Sequence, residues 1–177
     1  MRLIRVLTFM SLCLALAGCA IASGAATHPA QHQPSPCHAR GHGRFSLPDR
    51  ICTPGVAARA VTQANLQRTI CKPGYSEKIR PPESVTEPQK LASMKAYGDK
   101  GSAHNYEYDH LISLELGGAP DDLKNLWPEP GASPNPKDKI ENRLHKLVCD
   151  GSMTLATAQR EIAGNWVKTY DQLFGAS

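Results

Sequence analysis

The chain has 177 residues, 41% of them hydrophobic and 20% charged, a balance ordinary for one soluble globular domain. Twenty Lys and Arg against 16 Asp and Glu give a formal charge of +4. Arg2 and Arg5 supply two of those charges from the first 18 residues, so the remainder carries +2, and bulk electrostatics give no case for nucleic-acid binding.

Arg2 and Arg5 form a short basic start, followed by "VLTFMSLCLALAG", an apolar stretch too short for a comfortable membrane span. The next residues, "LAGC", resemble a bacterial lipoprotein processing box, which implies cleavage before Cys19 and acylation of its thiol. The alternative is a simple secretory peptide cut near "AIASGAA". Either way the expectation is export: an envelope lipoprotein held to the membrane by its lipid, or a secreted protein if Cys19 is not acylated. Residues 19–48, with "THPAQHQPSPCHARGHGR", lack the large apolar residues a core needs and read as a flexible tether. His28, His32, His38 and His42 form a His-rich tract that could catch a metal ion, although a solvated linker is the preferred reading.

A single globular domain is expected over residues 49–177. Cys37, Cys52, Cys71 and Cys149 imply two disulfides in an oxidising compartment, with three pairings open. They include no Cys-x-x-Cys knuckle of the kind zinc favours. "VTQANLQRTIC" fits either a short helix or an extended segment. "KPGYSEKIRPPESVTEPQ" is broken by Pro and Gly and is expected to be irregular. "KLASMKAYG" predicts a short helix with Leu91, Met94 and Ala92 or Lys95 on one stripe, closed by Gly98.

The second half is more explicit. "YEYDHLISLEL" predicts a strand, "GGAPDD" a turn, and "KNLWPEP" a return strand stopped by Pro128 and Pro130. In "NPKDKIENRLHKLVCDG", Asn135 is a candidate cap, Pro136 suits the first helical position and Asp138 the positive first turn, and Gly151 follows the end. Ile140, Leu144, Leu147 and Val148 make its apolar stripe. A last helix is expected from the Thr154 cap, burying Leu155, Ala158, Ile162, Trp166, Tyr170 and Leu173.

"DHLISLELGGAPDDLKNLW" followed by a polar helix resembles the HNH, or ββα-metal, nucleases over residues 106–146. The flanking "ICTPG", "NLWPEP" and "KDKIENRLHKLVC" also look like those of small exported bacterial proteins carrying such a segment. The resemblance implies an α+β fold: a hairpin–helix unit with extra helices and a disulfide-braced, irregular N-terminal half. It implies an endonuclease, a hydrolase that cuts DNA or RNA with little sequence preference, and no protein partner is inferred. Asp109 would be a metal ligand, His110 the general base, and Asn125 the residue that steadies the loop and orients the base. The ion would be magnesium or manganese, with zinc or nickel as alternatives.

Hydrolysis of a phosphodiester needs a nucleophilic water, neutralised phosphate charge and a stabilised leaving oxygen, which an imidazole and a divalent ion supply together. For the helix ligand, Asn135 stands where many HNH proteins place a His or Asn, yet it also reads as the cap, and the two jobs compete. Asp138, Glu141 and His145 share a helix face and offer a second set; Asn135 ranks first, then His145, then Glu141 and Asp138. Glu141 and His145 could equally be a solvated pair. Lys124, Lys137, Lys139, Arg143 and Lys146 could grip phosphates, as could Lys78 and Arg80, or simply be solvated. The competing reading is an inactive HNH-like scaffold serving as a binding or structural lipoprotein.

Overall fold

A computed structural model of the chain describes residues 37–175. The expected leader, the Cys19 lipidation site and the His28–His32 part of the tether lie outside them. Among the described residues the fold is mixed, with four α-helices and a two-stranded antiparallel ribbon. Helix α1 is Tyr75–Ile79, α2 Glu83–Tyr97, α3 Pro136–Cys149 and α4 Leu155–Phe174; strand β1 is Tyr106–His110 and β2 Leu126–Pro130. None of these helices is long and apolar enough to cross a membrane.

The register pairs Glu107 with Glu129 and Asp109 with Trp127. Alternation therefore sends Glu107, Asp109 and Glu129 to one face of the ribbon, and Tyr108 and His110 to the other. Pro128 and Pro130 were expected to stop β2 but lie inside it. A two-stranded ribbon has only edge strands, so a residue without an N–H costs no ladder bond when it faces outward. Strand β1 is shorter than predicted, ending at His110. The loop from 111 to 125 then turns inward, burying Leu111, Ile112 and Leu116 against Ile140 and Leu144 of α3 and Ile162 and Trp166 of α4. A second small cluster joins Trp127 and Tyr97 to the Cys37–Cys52 bridge.

Asn135 caps α3 as predicted, its Oδ1 accepting from the N–H groups of Lys137 and Asp138, while Asp138 returns a bond to the Asn135 N–H. That reciprocal box satisfies donors that every helix start leaves free. Ile140, Leu144 and Val148 are buried, each contributing roughly 1.5–3 kcal/mol. In α4 the Thr154 cap holds, but the backbone breaks at Asn165. The break changes the register, so Thr169 is buried and Leu173, expected inside, is 37% exposed.

The N-terminal half is more ordered than expected. Residues 37–48, read as tether, form a closed turn in which the Arg40 and Leu47 backbones exchange hydrogen bonds, and Leu47 enters the main core. Residues 63–68 form a 3-10 turn, which settles the ambiguity of "VTQANLQRTIC". Helices α1 and α2 occupy the stretch taken as irregular, and α2 runs through Pro88 to close on Gly98 in the left-handed conformation. Proline removes one helical N–H bond, a loss that burial of Met94 and Tyr97 further along the helix offsets. Leu91, expected on the buried stripe, is 53% exposed.

The disulfides are Cys37–Cys52 and Cys71–Cys149, separated by 15 and 78 residues. Loop-closure entropy makes the longer one worth about 4.5 kcal/mol and the shorter about 3 kcal/mol. Denaturant unfolding should therefore show Cys71→Ser with Cys149→Ser losing more stability than the Cys37/Cys52 pair. The reverse order would mean that strain or residual structure in the unfolded chain governs their contribution.

Candidate functional site

The site begins with the helix cap. Because Asn135 starts α3 beside β1, the side chain of Lys137 in the first turn passes under the ribbon, where it is fully buried. Its ammonium donates to Asp109 Oδ2 at 2.6 Å, to the His110 carbonyl at 2.8 Å and to Glu141 Oε1. An ammonium has three hydrogens, and each has an acceptor. Burial alone would lower the Lys137 pKa, but Asp109, Glu141 and Glu129 outweigh it and raise it. Burial likewise opposes ionisation of Asp109, yet Lys137 and a hydrogen bond from Glu129 hold it below its usual value.

Two further carboxyls belong to this cluster. Glu129 is 1% exposed, and no N–H or hydroxyl group among the described residues donates to its oxygens; its side chain meets the Asp109 carboxyl instead. Burial, then the Asp109 charge, pushes its pKa well up. Protonated, it becomes a donor toward Asp109. Glu107 accepts from Asn135 Nδ2 at 2.9 Å, and burial with the Asp109 and Asp138 charges lifts it to about 7. Burial lifts Glu141 to about 8 against the pull of Lys137.

His110 faces elsewhere, as strand alternation requires. Its Nε2 lies 2.8 Å from the Pro120 carbonyl, and the ring is nearly covered. A nitrogen against a carbonyl carries the hydrogen, which leaves the lone pair of the neutral ring on Nδ1. Burial holds the pKa below 6.5, helped by the charges of Arg80 and Lys137, while the Pro120 bond and Asp109 act upward.

Asn125 builds the loop that presents Pro120. Its Nδ2 donates to the Ile112 and Ala119 carbonyls, both at 3.0 Å, and its Oδ1 accepts from Ile112 N and Val56 N. The two glycines of the predicted turn are required by the same packing. Gly117 has φ +71, and a Cβ on Gly118 would lie 1.7 Å from the Ile112 carbonyl oxygen.

Asp109, Asn135 and His145, the donors expected for a divalent ion from the resemblance and from the helix face, do not converge. Asp109 is taken by Lys137, and Asn135 by the helix cap and Glu107. His145 bonds the Ile70 carbonyl at 2.9 Å and lies 3.2 Å from Glu115, and both line a cleft of about 450 Å³ together with Arg80, Ser113 and Glu141. These residues therefore do not form a divalent-ion site of that kind. Lys137, expected as a phosphate grip, is an internal cation. A different group can hold metal: Cys71, Cys149 and His145 place ligand atoms within 4.8 Å of one another. With Cys71 and Cys149 joined, their sulfurs are bonded to each other, so that capacity belongs to the reduced pair.

The sequence reading missed Glu129 and Glu107. Their signal was a glutamate lodged between two prolines in "WPEP", and one opposite it in "YEYDH", visible only once the register is known. Comparison of the chain with protein-family models, curated proteins and solved structures yields no match.

Two outcomes follow. Glu107, Glu129 and Glu141 keep protons in the folded chain at pH values where the unfolded chain, with carboxyls near 4.5, has lost them. Their stabilisation is complete below that value and is lost as pH rises through about 7 and 8. His110, held neutral, works oppositely: its contribution is present above 6.5 and lost as pH falls. Melting temperature should thus decline from pH 6.5 to 8.5, and Glu129→Gln should flatten the decline; a level profile for the parent would contradict the cluster. Asn125→Asp, which sets a carboxylate against two carbonyls, should cost about 3 kcal/mol or more by denaturant unfolding, exceeding Asn125→Ala. Equal costs would show that the amide donors do not matter.

Proposed function

We propose that this chain is a phosphodiester hydrolase of the HNH-like type, acting on nucleic acid outside the cytoplasm, with His110 as general base. The observation that carries the reading is the His110 ring: Nε2 is spent on Pro120 in a loop clamped by Asn125, so the basic atom of the neutral imidazole is Nδ1. A base of this kind accepts a proton from water near neutral pH. Arg80, whose charge bears on both His110 and Glu115, lines the adjacent cleft and is the cation best placed to meet a phosphate. The order strand, Gly-Gly loop, strand, helix supports the family resemblance, and the two disulfides support export, with or without a lipid on Cys19.

A second reading, an inactive scaffold, is favoured by one observation. His110 is only 4% exposed, and Asp109 is already neutralised by Lys137.

Plasmid nicking by the mature chain, with a panel of divalent ions and with chelator, separates the two. The hydrolase reading expects cleavage that His110→Ala lowers by about 10²–10⁴-fold, the usual contribution of a general base. It also expects the rate to hold as pH falls from 8 to below 6.5, because burial keeps the ring neutral there. Equal cleavage by variant and parent removes His110 from the mechanism. No cleavage by the parent under any condition leaves the scaffold.

A further inference from the structure

Three side chains that ligate soft metals meet where the segment before α1 touches the end of α3. Cys71 lies in that segment, and His145 and Cys149 are four residues apart on α3, which places them on one face of the helix. Their ligand atoms lie within 4.8 Å of one another, and all three residues are half-buried, within reach of solvent. Among the described residues no other group of three His, Cys, Asp or Glu side chains meets that spacing. A disulfide by itself does not call for an imidazole beside it. Yet the His145 ring is fixed from two sides, by the Ile70 carbonyl at 2.9 Å and by Glu115 at 3.2 Å. A carbonyl or a carboxylate is the usual partner that orients a metal-bound imidazole through its second nitrogen. Cys71 and His145 also line the cleft of about 450 Å³.

We propose that the Cys71–Cys149 bridge is a redox-gated zinc site: joined, the two sulfurs exclude the ion, and once reduced they bind it together with His145, leaving a fourth position open to the cleft. A dithiol supplies the two electrons. The S–S bond breaks, the dithiol closes to its own disulfide, and its two protons pass to the Cys71 and Cys149 sulfurs. Zinc then takes both sulfurs as thiolates, and the two protons leave to water. Two thiolates and an imidazole suit zinc, whereas magnesium and calcium take oxygen. Thiolates about 2.3 Å from a tetrahedral ion lie about 3.8 Å apart, a spacing this cluster admits. The ion replaces the broken bridge as the tie between residue 71 and the end of α3. This inference stands whether or not the chain cleaves phosphodiesters.

The test uses the full mature chain, reduced with a phosphine that is itself converted to the phosphine oxide, and titrated without oxygen with cobalt(II) chloride and then zinc chloride. Cobalt bound to thiolate gives a charge-transfer absorption that histidines alone do not produce. The reduced parent should take up one equivalent with this absorption, lose it to zinc, and melt higher with zinc than without it. The oxidised parent should show no such absorption. Cys71→Ser with Cys149→Ser should abolish it. His145→Ala should weaken binding at least about tenfold, since losing even an outer-shell partner typically costs 10–100-fold. If the reduced chain folds only when zinc is present, the proposal is supported. It is overturned if the reduced parent folds without showing thiolate absorption, or stays unfolded with zinc present. It is overturned equally if the absorption survives in Cys71→Ser with Cys149→Ser, or if His145→Ala binds as tightly as the parent.

Discussion

A buried ammonium must be wrapped in acceptors, because leaving it unpaired in a low-dielectric interior costs several kcal/mol. Lys137 finds its acceptors on β1, at the last β1 carbonyl and one turn along its own helix. Strand and helix can supply them together only if α3 starts at one place and β1 ends at another. The Asn135–Asp138 capping box sets the first of these, and the turn after His110 sets the second. Much of the hairpin–helix geometry therefore follows from satisfying a single charged group. Such groups are seldom the most stabilising choice, since well-packed apolar residues often do as well, but they are intolerant of alternatives.

The surplus of carboxylate around that ammonium gives the cluster its chemical character. One cation cannot hold four ionised acids in a dry site, so Glu129 and its neighbours keep protons that a solvated glutamate would lose. His110, one residue along β1, is held neutral by the same burial yet points the other way, toward the loop that Asn125 clamps. The ribbon thus divides two adjacent polar residues into two environments, an acid–ammonium cluster and an imidazole held against the Pro120 carbonyl. A hydrolase and an inert scaffold would both need this division; they differ in whether the imidazole meets water.

Around this unit the chain spends its cysteines and its N-terminal half on closure. Cys71–Cys149 ties the segment before α1 to the end of α3, and Cys37–Cys52 ties the first described residues beside Trp127 and Tyr97. Residues 37–48 looked too poor in apolar residues to fold, yet Phe45 and Leu47 suffice once a disulfide and the Arg40–Leu47 bridge remove most of their freedom. Helix α2 persists through Pro88 for a related reason: packing of Met94 and Tyr97 outweighs one lost hydrogen bond.

Local rules alone determined a good part of this protein. The capping residues of α3 and α4, the glycines at the loop and at the end of α2 and the apolar stripe of α3 all depend on neighbours within a few residues, and each is legible in the chain. What the tertiary structure decided is everything that depends on register or on reach. Glu107 meets Glu129 only through strand pairing, and Lys137 becomes an internal counter-ion only because its helix is laid across β1. His145 was separated from Asp109 because it faces Ile70 and Glu115, residues that no helical spacing connects to it. Charge and hydrogen-bond satisfaction are settled by distances between elements, and a linear pattern carries no information about those distances.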